Sequence, residues 1–291
     1  MTHIQFHEGA DRVRRMPQDF RWPEGKKLAL MVGVAYEAWS DGKVPGVGPM
    51  GNPLPAGHVD TNALAWAEYG TNRGIDRLLH VLERNRVRAT VMINGVLCER
   101  APAKVRAVQD AGHDIAAHSW AMDVMPTMLS EAQERENLYR TTDALERATG
   151  ARPKGWISPR GTPSVNTTRL LAQAGYDWHL DLLDDDLPAV LSFGDRKVVE
   201  LPAGMHVNDL PFSVRYGQPA HALEAVFDST LEAMRDDPLA LTLDVIAHAH
   251  VFGRPVGAAI FERIVRKAIA QPDVWIATCS DMDAWVRQQT A

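Results

Sequence analysis

The fold this chain predicts is α/β: a distorted parallel (β/α) barrel of about seven strands, in a single domain. Three features predict it. Short apolar runs of strand type alternate with stretches of helical periodicity along most of the 291 residues. These strand–helix units succeed one another with no shift in composition that would mark a second domain. Polar residues suited to chemistry stand directly after the apolar runs, where a parallel barrel carries its reactive loops.

Residues 1–26 are polar and broken by Pro17, Pro23 and Gly25, so they read as an N-terminal extension over the surface, with the barrel domain over 27–291. Leu28 to Val34 is a continuous apolar run, the sign of a strand buried on both faces. Residues 42–57 hold five glycines together with Pro45, Pro53 and Pro55, too many breakers for a regular element. A loop of that length is uncommon unless it covers a site, so a lid is expected there, with His58 on it. A helix over 73–85 follows from Ile75, Leu78, Leu79 and Leu82 at helical spacing. Next come a strand over 88–93, a helix near 101–111 and a strand that ends at His118. Ser130 is placed to cap a helix reaching Ala148, with Glu131 and Glu134 in its first turns. Short strands are expected at 156–157, 177–180 and 197–201, and a helix near 220–235. The apolar run 239–247, a helix near 257–270, a strand over 274–277 and a helix near 280–289 complete the chain.

Composition excludes several classes. A hydrophobic fraction of 45%, a charged fraction of 23% and a net charge of −6 offer no basic platform for nucleic acid. No stretch approaches the roughly 18 apolar residues of a membrane span. Residues 1–7 lack the apolar run of a signal peptide, and cytoplasm is the expected location. The two cysteines, Cys98 and Cys279, are far apart and make no disulfide framework.

The polar residues behind the strands are Tyr36-Glu37, Asn94, His118, Ser158-Pro159-Arg160, Asp181 to Asp186, His206-Asn208-Asp209, and His248 with His250. They are expected to converge in one cavity. His118 is followed at the fourth position by Met122. Two histidines at that spacing share one metal, whereas a thioether suits soft ions.

This ordered set resembles the polysaccharide-deacetylase superfamily, over about residues 20–290. In that superfamily the first motif carries two aspartates, a base and a metal ligand; the matching positions here are Ala35 and Glu37. The His-x-x-x-His motif is His118…Met122, the arginine–proline segment is Ser158-Pro159-Arg160-Gly161, and the last histidine motif is matched by His248. Tyr36-Glu37, Asp185-Asp186-Leu187-Pro188, Asn208-Asp209 and His248 with Gly253-Arg254-Pro255 are similar to the branch of cyclic imide hydrolases and metal-independent allantoinases. The segment His118 to Val124 is most similar to the former.

The resemblance implies a homotetramer that opens a cyclic imide or ureide by hydrolysis, with no cofactor. Glu37, His118, Arg160 and His248 are the expected catalytic residues. Glu37 is expected as a water-activating base, its pKa raised by Tyr36 and Trp39; the other reading makes it a structural carboxylate bonded to backbone amides or to an arginine such as Arg160. His118 is expected in acid–base work or positioning, or as a core histidine. Arg160 suits a ring carbonyl and then the product carboxylate, unless it pairs with Asp185 or Asp186. His248 is the candidate acid for the leaving nitrogen. Tyr36, Trp120, Asp123, Asp185, Asp186, His206, Asn208 and His250 are expected around the substrate. Three alternatives stand beside this: an allantoinase, a zinc-dependent sugar deacetylase with Glu37 and His118 on the metal, and an inactive barrel that binds a small ring.

Overall fold

The computed structural model describes residues 7–46, 48–50, 54–55 and 57–290. Eleven strands form one sheet: β1 (Arg12–Arg15), β2 (Leu28–Tyr36), β3 (Thr90–Ile93), β4 (Asp114–Ala117), β5 (Gly155–Trp156), β6 (Trp178–Leu182), β7 (Ala189–Phe193), β8 (Arg196–Pro202), β9 (Val207–Asn208), β10 (Leu241–His248) and β11 (Val274–Ala277). Their order is β1-β7-β8-β6-β5-β4-β3-β2-β10-β9, with β11 also on β2. All neighbours are parallel except β1 with β7 and β7 with β8. The chain is thus an α/β single domain on a mostly parallel sheet, with more strands among the described residues than expected: β1, β7 and β9 are additional.

Period-two alternation sorts each long strand into two faces. On β2, Leu28, Leu30, Val32, Val34 and Tyr36 pack outward with the helices. Ala29, Met31 and Ala35 face inward with Met92, Leu180 and Ile246. The N-terminal segment is not a loose surface extension. It supplies β1, and Met16, Phe20 and Trp22 are buried in the inner apolar cluster. The Trp22 indole donates to the Leu241 carbonyl at 3.0 Å, which fixes this plug at the start of β10. Residues 1–6 lie outside the described residues.

The helix expected over 73–85 begins earlier. Asp60 caps Thr61–Tyr69 through the Ala63 amide, and a wide turn at Gly70–Gly74 joins it to Ile75–Asn85. That turn lies against the loop after β10: a Cβ on Gly74 would sit 1.8 Å from the Ala249 carbonyl oxygen, and one on Gly253 2.0 Å from it. Glycine at both positions lets the backbone after β10 seat deeply. The helix Glu131–Thr149 starts from a capping box of Ser130 and Gln133.

Candidate active site

Three strands end at one point. Glu37 follows β2, His118 follows β4, and His248 ends β10. Glu37 Oε1 lies 3.5 Å from His118 Nε2 and 3.5 Å from His248 Nε2, so one carboxylate oxygen bridges two imidazoles. All three side chains are buried.

The supports of these groups define their protonation. His118 Nδ1 is 2.7 Å from the Ile157 carbonyl oxygen. A carbonyl only accepts, so Nδ1 carries the proton and Nε2 presents a lone pair to the site when the ring is neutral. Ser119, directly after His118, has φ of +55°, a left-handed conformation that a non-glycine residue adopts under strain. Asn137 Nδ2 donates to Ser119 Oγ at 3.1 Å, and the Gly95 amide donates to the Ser119 carbonyl, which hold the turn. Asn94 accepts from the Ala38 amide and donates to the His118 carbonyl, tying the ends of β2 and β4 together.

His248 Nδ1 donates to Asp209 Oδ1 at 2.6 Å. Asp209 also accepts from the backbone amides of His248 and Phe252 at 2.9–3.0 Å. The carboxylate–imidazole pair is therefore fully engaged and directs Nε2 at Glu37. Burial alone would lower the His248 pKa, but Glu37 and Asp209 overcome it and push it up to about 10. Burial alone would likewise raise Glu37, yet the charge of His248, with the His118 and His250 rings close by, holds it well below the usual carboxylate range. The expectation that an apolar wall raises the Glu37 pKa is thus reversed: near neutrality the pair is carboxylate and imidazolium. His250 is neutral, its pKa lowered to about 4 by burial. Its ring lies edge-on to Trp39 and Trp66, 5.5 and 4.6 Å between centroids. Its Nδ1 is 3.9 Å from Glu37 Oε2.

Two compartments meet at this cluster. An outer mouth of about 520 Å³ is lined by Trp39, Trp66, Asp123 and His250, and by Lys43 to Gly46 of the loop expected as a lid. In that loop residues 47, 51–53 and 56 lie outside the described residues. An inner chamber of about 130 Å³ is lined by His118, His248, Asn208, Asp244 and apolar side chains such as Met92 and Leu180. Glu37, Met122, Arg160 and Arg215 line both. Arg160 is held at φ +61°, and among the described residues no carboxylate lies within salt-bridge distance of it. Its guanidinium rests 3.9 Å from Met125 Sδ and is available to the cavity.

Several expected residues lie elsewhere. Tyr36 is on the outward face of β2, against the helices, so it cannot wall the site. Trp120 packs outward too, with the Arg140 guanidinium 3.4 Å from its ring centroid. Asp185 is not at the cavity but bound to Arg15 at 2.6 Å, a partner from the N-terminal segment. Asp186 is exposed, with its carbonyl oxygen accepting from Thr242. His206 is exposed and lines neither compartment. Asp123 stands at the mouth, where Oδ1 accepts from the Ser40 amide. Asp209, expected in the cavity but given no role of its own, supports His248 there, and two residues that were not expected, Arg215 and Asp244, line the site. Asp244 was legible from alternation, since it shares the inward face of β10 with Ile246 and His248.

The donor set does not suit a hydrolytic metal. Where a second histidine would complete the pair with His118, the Met122 thioether lines the cavity. His248 Nε2 is turned to Glu37 as an ion pair. Among the described residues no group of three or more His, Cys, Asp or Glu is arranged to hold a metal ion.

The polysaccharide deacetylase family model matches residues 64–179, a span that contains His118, Met122 and Arg160 but neither Glu37 nor His248. A Mycobacterium smegmatis structure assigned as a polysaccharide deacetylase is 29% identical, covering 93% of this chain and 94% of its own, with a TM-score of 0.81. The Puue allantoinase structure, 24% identical with 92% of each chain covered and a TM-score of 0.81, shares the fold. A Schizosaccharomyces pombe protein assigned to the same deacetylases is 23% identical over 303 residues, 91% of this chain and 92% of its own. With the matched span 64–179 and a fold shared over nearly the whole length, the chain is similar to the polysaccharide deacetylases in sequence and in architecture.

Proposed function

We propose that this chain hydrolyses the C–N bond of a small cyclic amide, opening an imide ring to the half-amide. Hydrolysis of an amide is the chemistry its deacetylase relatives share. The observation that carries the ring is the inner chamber. At about 130 Å³ it is close to the ~150 Å³ of a cavity that holds benzene. A five- or six-membered ring matches that volume beside Glu37, His118 and His248.

In this reading the reacting water stands between His118 Nε2 and one ring carbonyl. His118 takes a proton through its free lone pair as the C–O bond forms, and the Glu37 carboxylate stabilises the imidazolium that results. Arg160, at the junction of the compartments, faces the developing oxyanion. His248 then gives its Nε2 proton to the nitrogen as the C–N bond breaks, with Asp209 holding the ring in place. The new carboxylate meets Arg160 and Arg215 on its way to the mouth. An imide carbonyl is activated by the second carbonyl on its nitrogen, which eases the step without a Lewis acid.

The test is turnover of succinimide, glutarimide, hydantoin and allantoin beside an N-acetylglucosamine oligomer, using protein with measured metal content, before and after chelation. Ring opening that survives chelation is expected. Deacetylation of the oligomer alone, or loss on chelation with rescue by zinc, overturns the proposal.

A further inference from the structure

Asp244 has no part in the reaction just described, yet it is built into the chamber. It lies four residues before His248 on β10, and so on the same inward face. Both carboxyl oxygens are buried and no side chain bonds to them; the backbone amides of Gly204 and of Asp244 itself approach the group, short of normal hydrogen-bond geometry. Met92, Leu180 and Ile246 line the same chamber. Gly204 makes room for the group: a Cβ there would lie 2.3 Å from Oδ1. An isolated carboxylate in such surroundings would be costly, so the group keeps its proton, its pKa raised by burial to about 8. A protonated carboxyl with unused donor and acceptor, facing the inner chamber beside reacting groups, is shaped for a ligand.

We propose that Asp244 determines the specificity of this site by pairing its neutral carboxyl with the cis –CO–NH– edge of a small ring. A carboxylic acid offers one donor and one acceptor side by side, and a cis amide presents their complement. Ring closure forces lactams and imides into the cis form, whereas an open-chain N-acetyl amide is trans, since cis costs about 2.5 kcal/mol or more. The same carboxyl therefore accepts rings and refuses N-acetyl chains. In an imide it engages the N–H and one carbonyl, which leaves the other carbonyl to His118 and Glu37. The choice of substrate rests on the ring-opening reading; the binding test does not.

That test is calorimetry on the full chain with 2-pyrrolidinone, a cis amide without an imide's activation, and with its N-methyl derivative. Wild type binds the first at least tenfold more tightly, because the N-methyl group removes the donor. Asp244→Leu abolishes that preference, while Asp244→Asn, whose carboxamide presents the same donor–acceptor edge, keeps it. The pH profile separates pairing from mere packing. Between pH 6 and 9 wild-type affinity falls as Asp244 ionises, and that of Asp244→Asn stays flat. Of the other titratable groups around it, Glu37 is held far below this range, His248 near 10, and the Cys279 thiol well above its usual value by burial and the nearby Asp114; His118 and Asp181 line the chamber in both proteins, so the difference between the wild-type and Asp244→Asn profiles isolates Asp244. Equal binding of the N-methyl lactam, no lactam binding by wild type, or an unchanged Asp244→Leu overturns the inference. Lactam selectivity in a protein that opens no imide would leave the inference standing and remove the ring-opening reading. Imide turnover with an unchanged KM in Asp244→Leu would do the reverse.

Discussion

The molecule holds two buried histidines flanked by carboxylates, and they differ in what surrounds them. His248, at the end of β10, lies between Glu37 and Asp209 and lines the inner chamber. His179, inside β6, lies 3.5 Å from Asp181 and 3.6 Å from Glu200, and Thr168 of the outer helix Thr167–Ala174 approaches its Nε2. Burial lowers both pKa values and the flanking carboxylates raise both above the ordinary one. A perturbed histidine is therefore no marker of a site by itself. What separates the two is position: His248, and not His179, stands at a strand's C-terminal end and lines open volume. His179 itself lines neither compartment.

The comparison breaks most directly at Glu37. Glu37→Gln keeps the shape but removes the charge that bridges His118 and His248. We expect kcat/KM for ring opening to fall by about 10³-fold, with the thermal unfolding midpoint little changed. Rates within tenfold of wild type would mean that the bridge is structural, like the contacts of His179.

Asp209→Asn is the next largest change. It leaves a partner on His248 Nδ1 but removes one of the two charges that raise its pKa. We expect about a 10²-fold loss of kcat. The sign of the pH effect follows from the role of the acid: His248 must be protonated, so activity is lost as pH rises through its pKa. With Asp209 neutralised, that alkaline limb moves from near pH 10 toward neutrality. An unmoved limb would assign it to a group other than His248.

Much of this arrangement was legible in the sequence, for a definite reason. Glu37, His118, Arg160 and His248 each follow an apolar run, and parallel strands carry the residues after them to one face. What remained hidden depends on partners remote in the chain. Asp185 in a run of three aspartates gives no sign that Arg15, 170 residues away, binds it. The direction of the Glu37 shift rests on distances to two histidines from other strands. Tyr36 and Glu37 adjoin, and a continuous apolar strand does not announce which neighbour faces inward. Asp244 stands inside a run that reads as core, and only alternation counted back from His248 places it on the inward face. The plug of Met16, Phe20 and Trp22 was masked by the prolines and charges around it.

The smallest expected effect on catalysis sharpens the comparison from its other side. His179→Gln leaves Asp181 and Glu200 buried without their cation, and breaking such a cluster costs about 3 kcal/mol of stability. Because the folded-state pKa of His179 is raised, its contribution is fully present below the ordinary value of 6.5 and is lost as pH rises through the raised one. The gap in unfolding free energy between wild type and His179→Gln should therefore be widest at pH 6 and narrow at higher pH, as urea titrations at several pH values would show. Meanwhile kcat/KM at pH 7 should stay within about twofold, because the ring faces the helices and not the chamber. A variant that kept its stability but lost turnover would join the two histidines into one functional system, through Asp181, which accepts from Ser158 and lines the chamber.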